Sequence, residues 1–345
     1  MAEKTGISWC DATFNPWWGC QKVSPACDHC YAERDAKRFE PGRVLWGVGS
    51  ERRTFDDQHW NMPLKWARAI WYECLDCGNR YSSSSKANRR SEFATCGHCG
   101  SERAKVSRRR VFCASMGDWL DLDAPLDEFV RLLDTIRRTP ELDWLLLTKR
   151  IGNWKPRLFG AQTHMLSQPH PDPTLTRWVA GWLMGTPPAN AWLGATVINQ
   201  DEADRDINKL LAVPARVRFV SIEPMLGQVN LRVKCPPEFQ PWLRADRVGW
   251  VICGGESGPH ARPLHVEWVR SIVQQCKAAG VAVHVKQLGA RPEFNGISDD
   301  ASRWPPSVTF GGDTGHGTFQ VNLAHQKGGD VNEWPRDLRV QEFPS

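Results

Sequence analysis

Cys20, Cys27 and Cys30 stand at C-x6-C-x2-C in a loop punctuated by Pro16, Gly19 and Pro25, directly before a segment, 31–39, that reads as helix. Three thiolates on one loop can wrap one face of a metal centre. A closed structural zinc needs four ligands, and so does an iron–sulfur cluster held entirely by protein. The loop therefore points to a cluster with one iron left for a group that is not protein. The residues alone leave two rivals: a structural zinc completed by Cys10 or His29, and a four-thiolate electron-transfer cluster completed by Cys10.

A second set of cysteines has a different rhythm. Cys74, Cys77, Cys96 and Cys99 form C-x2-C-x18-C-x2-C, with Gly78 and Gly100 after the two pairs. This is the spacing of a zinc ribbon, in which two knuckles each supply two thiolates to one tetrahedral ion. A short segment with little apolar content needs such a staple, because metal binding then supplies folding free energy. A serine run from Ser82 to Ser85 lies between the pairs. Arg89, Arg90, Arg103, Lys105, Arg108, Arg109 and Arg110 give a basic flank, compatible with nucleic acid, although such a flank is more often only a solvated face.

The first loop, Asn15-Pro16-Trp17-Trp18-Gly19-Cys20 through Val23-Ser24-Pro25-Ala26-Cys27-Asp28-His29-Cys30-Tyr31-Ala32-Glu33, resembles the cluster loop of radical S-adenosylmethionine enzymes, down to the aromatic Tyr31 after the last cysteine. Its first gap is six residues, where the superfamily commonly has three. The wording is similar to a narrower group, the phage-associated three-cysteine-motif proteins of uncharacterised activity, and that similarity recurs outside 41–110. The resemblance implies a radical SAM barrel in which Cys20, Cys27 and Cys30 ligate a 4Fe-4S cluster and S-adenosylmethionine takes the open iron. It also implies a flavodoxin- or ferredoxin-like reductant, and makes a nucleic acid or nucleotide substrate plausible by analogy. In the superfamily a Gly-Gly-Glu run after the second strand meets the methionine amino group. Here that strand ends in Ser115-Met116-Gly117-Asp118, so Asp118 is expected in that role, while Gly254-Gly255-Glu256 comes too late in the chain for it.

Several elements must position these groups. The chain has 345 residues, 41% hydrophobic and 24% charged, enough for one large α/β domain and a small one. No apolar run approaches the roughly 18 residues of a membrane helix, and the start, Met1-Ala2-Glu3-Lys4-Thr5, lacks secretory order; a cytoplasmic protein is expected. Net charge of +5 permits nucleic acid without arguing for it. From residue 110 short apolar runs alternate with helical segments, the mark of parallel βα units. With a first strand near Ile7 to Trp9, about seven strands are expected. The expected fold is thus α/β, a partial or full parallel βα barrel of radical SAM type with an inserted zinc-ribbon-like module. Its parts are a cluster-binding start (1–40), the insertion (41–110), the rest of the barrel (111–290) and an irregular tail (291–345).

Chemistry in a parallel barrel collects where strands end. The polar residues that end the apolar runs are Ser115 and Asp118, Lys149 and Arg150, Glu223, Glu256, Lys286 and Gln287. Ser115, Asp118, Arg150 and Tyr31 are candidate cofactor contacts. Glu223, Glu256 and Lys149 are candidate catalytic groups. Lys149 and Arg150 suit the cofactor carboxylate or a substrate phosphate, or else a capping pair. Cys113 and Cys253 read as buried small hydrophobes, with Cys253 alternatively a radical relay; His59, His265 and His284 read as structural. The alternative to an enzyme is a non-catalytic zinc or iron–sulfur protein that binds nucleic acid.

Overall fold

The structure is a computed structural model, and it describes residues 5–82, 95–231, 242–296, 301–315 and 317–344. Ser83 to Ser85, Arg89, Arg90 and Cys235 lie outside the described residues. In chain order, β1 (Ala12–Phe14) leads through the cysteine loop into α1 (Tyr31–Phe39) and α2 (Asp57–Trp66). A small antiparallel sheet follows, with β2 (Trp71–Cys74) between β3 (Arg80–Ser82) and β4 (Ala104–Ser107). Then come β5 (Arg109–Cys113), α3 (Leu126–Arg138), β6 (Leu142–Thr148), α4 (Trp154–Leu166), α5 (Pro173–Leu183), β7 (Ala191–Thr196), α6 (Gln200–Ala212) and β8 (Val217–Ile222). The chain continues through β9 (Trp250–Gly254), β10 (Leu264–His265), α7 (Val266–Ala279) and β11 (Ala282–Gln287). It closes with β12 (Pro292–Asn295), β13 (Thr309–Gly315) and β14 (Thr318–Asn322).

Seven strands, in the order β1-β5-β6-β7-β8-β9-β11, pair in parallel and form a curled half-barrel. Their two faces bury different residues, as the period of two requires. Val111, Cys113, Leu146, Leu193, Val220, Val251 and Val283 join the large core beneath the helices. Phe112, Leu145, Phe219, Trp250 and Ile252 meet Trp9, Ile7 and Phe343 on the concave side. Gly194 has to be glycine there, since a Cβ would come within 2.3 Å of the Phe219 ring.

The helices follow from their patterning. In α3 the residues Phe129, Leu132, Leu133 and Ile136 form one buried stripe. Helix α7 ends at Gly280, left-handed at φ 64°, a conformation glycine adopts without a Cβ clash.

Two expectations need correction. The first strand begins at Ala12, and Ile7 and Trp9 instead enter the concave core. The tail after 290 is not irregular, because β10, β12, β14 and β13 make a second, mixed sheet. Its glycines and bulges break the alternation by which strands are recognised. The final residues return to the half-barrel, where the Val285 amide bonds the Val340 carbonyl at 2.8 Å and the Trp250 indole bonds that of Glu342 at 3.0 Å. No helix is long and apolar enough to cross a membrane among the described residues.

Candidate metal centres and barrel mouth

The ribbon cysteines come together. Cys74 and Cys99 sulfurs lie 3.6 Å apart, as do those of Cys77 and Cys96, and all four ligand atoms fall within 4.8 Å of one another. Thiolates around one tetrahedral ion with bonds of about 2.3 Å sit roughly 3.8 Å apart, so the four could hold a metal ion. Local turns make the knuckles: the amides of Gly78 and Gly100 bond the Cys74 and Cys96 carbonyls at 3.0 and 2.8 Å. Burial works against ionising Cys96, but amides of Cys99 and His98 outweigh it and bring its thiol down to about 6.

Arg80 on β3 fixes this module to the barrel. Its guanidinium contacts both oxygens of Asp11, just before β1, at 3.1 to 3.2 Å. Asp11 also accepts the Arg110 amide at 2.7 Å. Burial opposes the Asp11 charge, yet Arg110 and Arg80 hold its carboxyl below the usual range. The ribbon therefore attaches where β1 and β5 begin, whereas the cysteine loop leaves from the end of β1.

At that other end, Cys20, Cys27 and Cys30 line one cleft of about 100 Å³ with Tyr31, Ser115, Asp118 and Lys149. Gly19, at φ 117°, lets the chain enter: a Cβ would meet the Leu45 carbonyl oxygen at 2.5 Å. Ser24 caps the turn Pro25–Cys27, and Cys30 occupies the N-cap of α1. The Arg150 guanidinium lies 3.4 Å from the Cys20 sulfur and donates to the Gln21 carbonyl at 2.8 Å. Burial pushes the Cys20 thiol up to about 11, with Asp118 adding to the shift and Arg150 opposing it.

Among the described residues the ribbon is the one group of three or more such ligands within 4.8 Å. The three loop cysteines are brought to one cleft, where their thiolates could help to hold a metal centre. Of the two possible fourth ligands, Cys10 is buried with its sulfur 3.9 Å from the Ile7 carbonyl, and the His29 Nδ1 faces Glu256 at 3.0 Å, which leaves its Nε2 free of that bond.

The remaining candidates divide. Asp118 lines the cleft, but its carboxylate already accepts from the Thr148 hydroxyl at 2.7 Å and from the Lys149 and Leu120 amides at 2.9 and 3.0 Å. It braces the ends of two strand segments, which leaves less of it for a cofactor amine. The Tyr31 hydroxyl donates to the Ser115 carbonyl at 2.9 Å, while Ser115 and the Met116 amide bond the Asn15 side chain. Glu223 faces an adjoining chamber of about 350 Å³, with Lys286 3.1 Å from its Oε1. Chamber and cleft share Tyr31, Phe112, Leu147, Lys149 and Thr196.

Glu256 is committed elsewhere. It accepts from the Arg262 side chain at 2.7 and 3.0 Å and from its amide at 2.9 Å, besides facing His29. Arg262 in turn donates to the Pro25 carbonyl at 3.0 Å. Ser24 donates to buried Glu202 at 2.7 Å, so two acids staple the cysteine loop to the barrel. Sequence reasoning missed Glu202 and Arg262. The Asn199-x-x-Glu202 spacing of a capping box was the available signal for the first; nothing local marks the second.

Cys253 packs in the outer core, and Cys113 is also fully buried. His59 bonds the Asn15 carbonyl at 2.7 Å, and burial brings its imidazole down to about 4. His265 packs on Trp268, and His284 bonds Ser8 at 2.8 Å.

Fold and site together define a parallel α/β half-barrel with a cysteine-lined cleft at its strand ends and a second four-cysteine site on an inserted ribbon. The chain belongs to the family described as protein of unknown function (DUF5131), which matches residues 4–326. No curated protein and no solved structure matches it.

Proposed function

We propose that the chain is a radical SAM enzyme acting on a nucleotide or nucleic acid, with zinc in the ribbon. The observation that carries this reading is the placement of Cys20, Cys27 and Cys30 around one cleft at the ends of parallel strands. A 4Fe-4S cluster with S-adenosylmethionine, when bound there, supplies one-electron cleavage of the sulfonium and a 5′-deoxyadenosyl radical that abstracts hydrogen from substrate.

The chain's own residues would do the rest. Cys20, Cys27 and Cys30 would hold the cluster, and Arg150, beside Cys20, would offset thiolate charge. Tyr31 and Ser115, joined across the cleft, would shape the cofactor's seat. Glu223 and Lys286 would hold a proton or a polar substrate group in the chamber next door. The apolar walls Phe112 and Leu147 would exclude water from both spaces.

Protein purified and reconstituted without oxygen tests the reading. About four irons and one zinc per chain, with 5′-deoxyadenosine released on adding S-adenosylmethionine and dithionite, are expected. The irons should vanish in Cys27→Ala while the zinc stays. A single zinc at the loop, or a cluster spectrum that S-adenosylmethionine does not alter, would sink the proposal.

A further inference from the structure

The chamber beside the cysteine cleft has a charge imbalance. Its volume of about 350 Å³ lies in the range of small-ligand sites, roughly 300–1,000 Å³. Its two acids already have cationic neighbours: Glu223 has Lys286 at 3.1 Å, and Asp35 has Arg34 at 3.4 Å. Two further cations, Lys149 and Lys327, line the same space. Among the described residues neither ammonium has a hydrogen bond or ion pair. Two of four cations are thus left over, and the chamber carries an excess of two positive charges.

These two lysines come from opposite parts of the chain. Lys149 ends its strand, with its amide fixed by the Asp118 carboxylate at 2.9 Å. Lys327 sits on the loop after β14. That loop is docked on the end of β11, where the Leu288 amide bonds the Gly328 carbonyl at 2.8 Å, and the buried Trp334 indole bonds the same oxygen at 3.0 Å. A Cβ at Gly328 would meet the Gly289 carbonyl oxygen at 2.4 Å, so the two backbones are in close contact. The ammonium of Lys327 is therefore carried by an anchored loop.

We propose that the chamber is the substrate site and that it takes a small phosphate-bearing ligand of nucleotide size, whose anionic group is received by Lys149 and Lys327. Uncompensated ammonium groups in a cleft with low-dielectric walls focus field on an anion, and lysine serves as a point charge for phosphate. The aromatic and aliphatic residues Trp9, Tyr31, Phe112 and Leu147 supply the apolar wall against which a flat ring can pack. As a substrate site, the chamber rests on the enzyme reading above; as a binding site it does not.

Isothermal titration of the full chain, reconstituted without oxygen, tests this with AMP, CMP, GMP and UMP, the four corresponding nucleosides, and S-adenosylmethionine. At least one monophosphate should bind at least tenfold tighter than its nucleoside. Lys327→Ala should remove that advantage, Lys327→Arg should keep most of it, and S-adenosylmethionine affinity should be unchanged in both. Lys149→Ala should act in the same direction on the monophosphate, and thermal melts of each variant exclude misfolding. Monophosphates that bind no better than nucleosides, or an advantage indifferent to Lys327, overturn the proposal. So does a Lys327→Ala variant that loses S-adenosylmethionine and monophosphate alike, since the charge would then serve the cofactor. If the native chain binds the monophosphate but not S-adenosylmethionine, the enzyme reading fails and the anion site stands.

Discussion

The molecule holds cysteines in two ways. In the ribbon, four sulfurs converge within 4.8 Å on a three-stranded sheet with a small apolar core. Cys74, Tyr81 and Cys96 are the buried hydrophobics of its separate small core. At the mouth, the loop that carries three cysteines is held from outside, by Arg150, Glu202, Glu256 and Arg262. The ribbon should therefore lean on a bound metal for its shape, whereas the loop is tied to the barrel by side chains. Structural metal sites are closed by their own ligands, and open ones are held by their surroundings.

The largest test of this contrast is metal removal. Stripping the ribbon with a chelator, or changing Cys74 to Ala, should abolish hydrogen-exchange protection across β2 and β4, because structural zinc supplies on the order of 10 kcal/mol to such modules. Cys27→Ala should leave the barrel's protection and melting temperature nearly as they were. Equal damage from both changes would erase the distinction.

Asp11→Ala comes next. It leaves Arg80 and Arg110 without their shared carboxylate, and breaking a buried pair costs about 3–5 kcal/mol. Urea melts should show the loss, and the ribbon should loosen from the barrel while keeping its metal.

Glu256→Gln should be milder. Hydrogen bonds to charged groups contribute about 1.5–3 kcal/mol, and the loss should appear as faster exchange in 24–30 with the barrel core unaffected. The same staple should respond to acid. Burial raises the Glu256 carboxyl, but its bonds to Arg262 and His29 prevail and hold it below the ordinary value. Its contribution is therefore complete above the unfolded value of about 4.3 and is lost as pH falls through the lower folded value. A pH series of loop exchange, with Glu256→Gln as control, measures this.

The smallest effect expected is at Ser24. Ser24→Ala removes one cap and one bond to Glu202, about 1 kcal/mol. A change of that size, confined to the loop, would agree with several external tethers sharing the work.

Much of this was legible in the sequence. Apolar runs such as Leu145 to Leu147 and Val251 to Cys253 announce buried parallel strands, and turn residues mark their ends, so the number of strands and the shared mouth could be read directly. The convergence of Cys74, Cys77, Cys96 and Cys99 was readable because metal geometry dictates such spacing. What escaped were residues whose meaning is set by distant partners. Arg262 looks like any surface arginine until Pro25, 237 positions away, is brought beside it. Asp118 ends a strand as a cofactor contact would, but Thr148 and the Lys149 amide, 30 and 31 positions on, occupy its oxygens. The second sheet stayed hidden because Gly311 and Gly312 interrupt the pattern in β13, and Lys327 was lost with it.

Phe343 packs on Trp250 and His284, and the Arg110 guanidinium lies 3.5 Å from its ring centre, in the same cluster as Ile7 and Trp9. Residues early and late in the sequence thus plug the hollow of the half-barrel together. Until the segment that carries Phe343 has been synthesised, the sheet can curl but its hollow lacks one half of that plug.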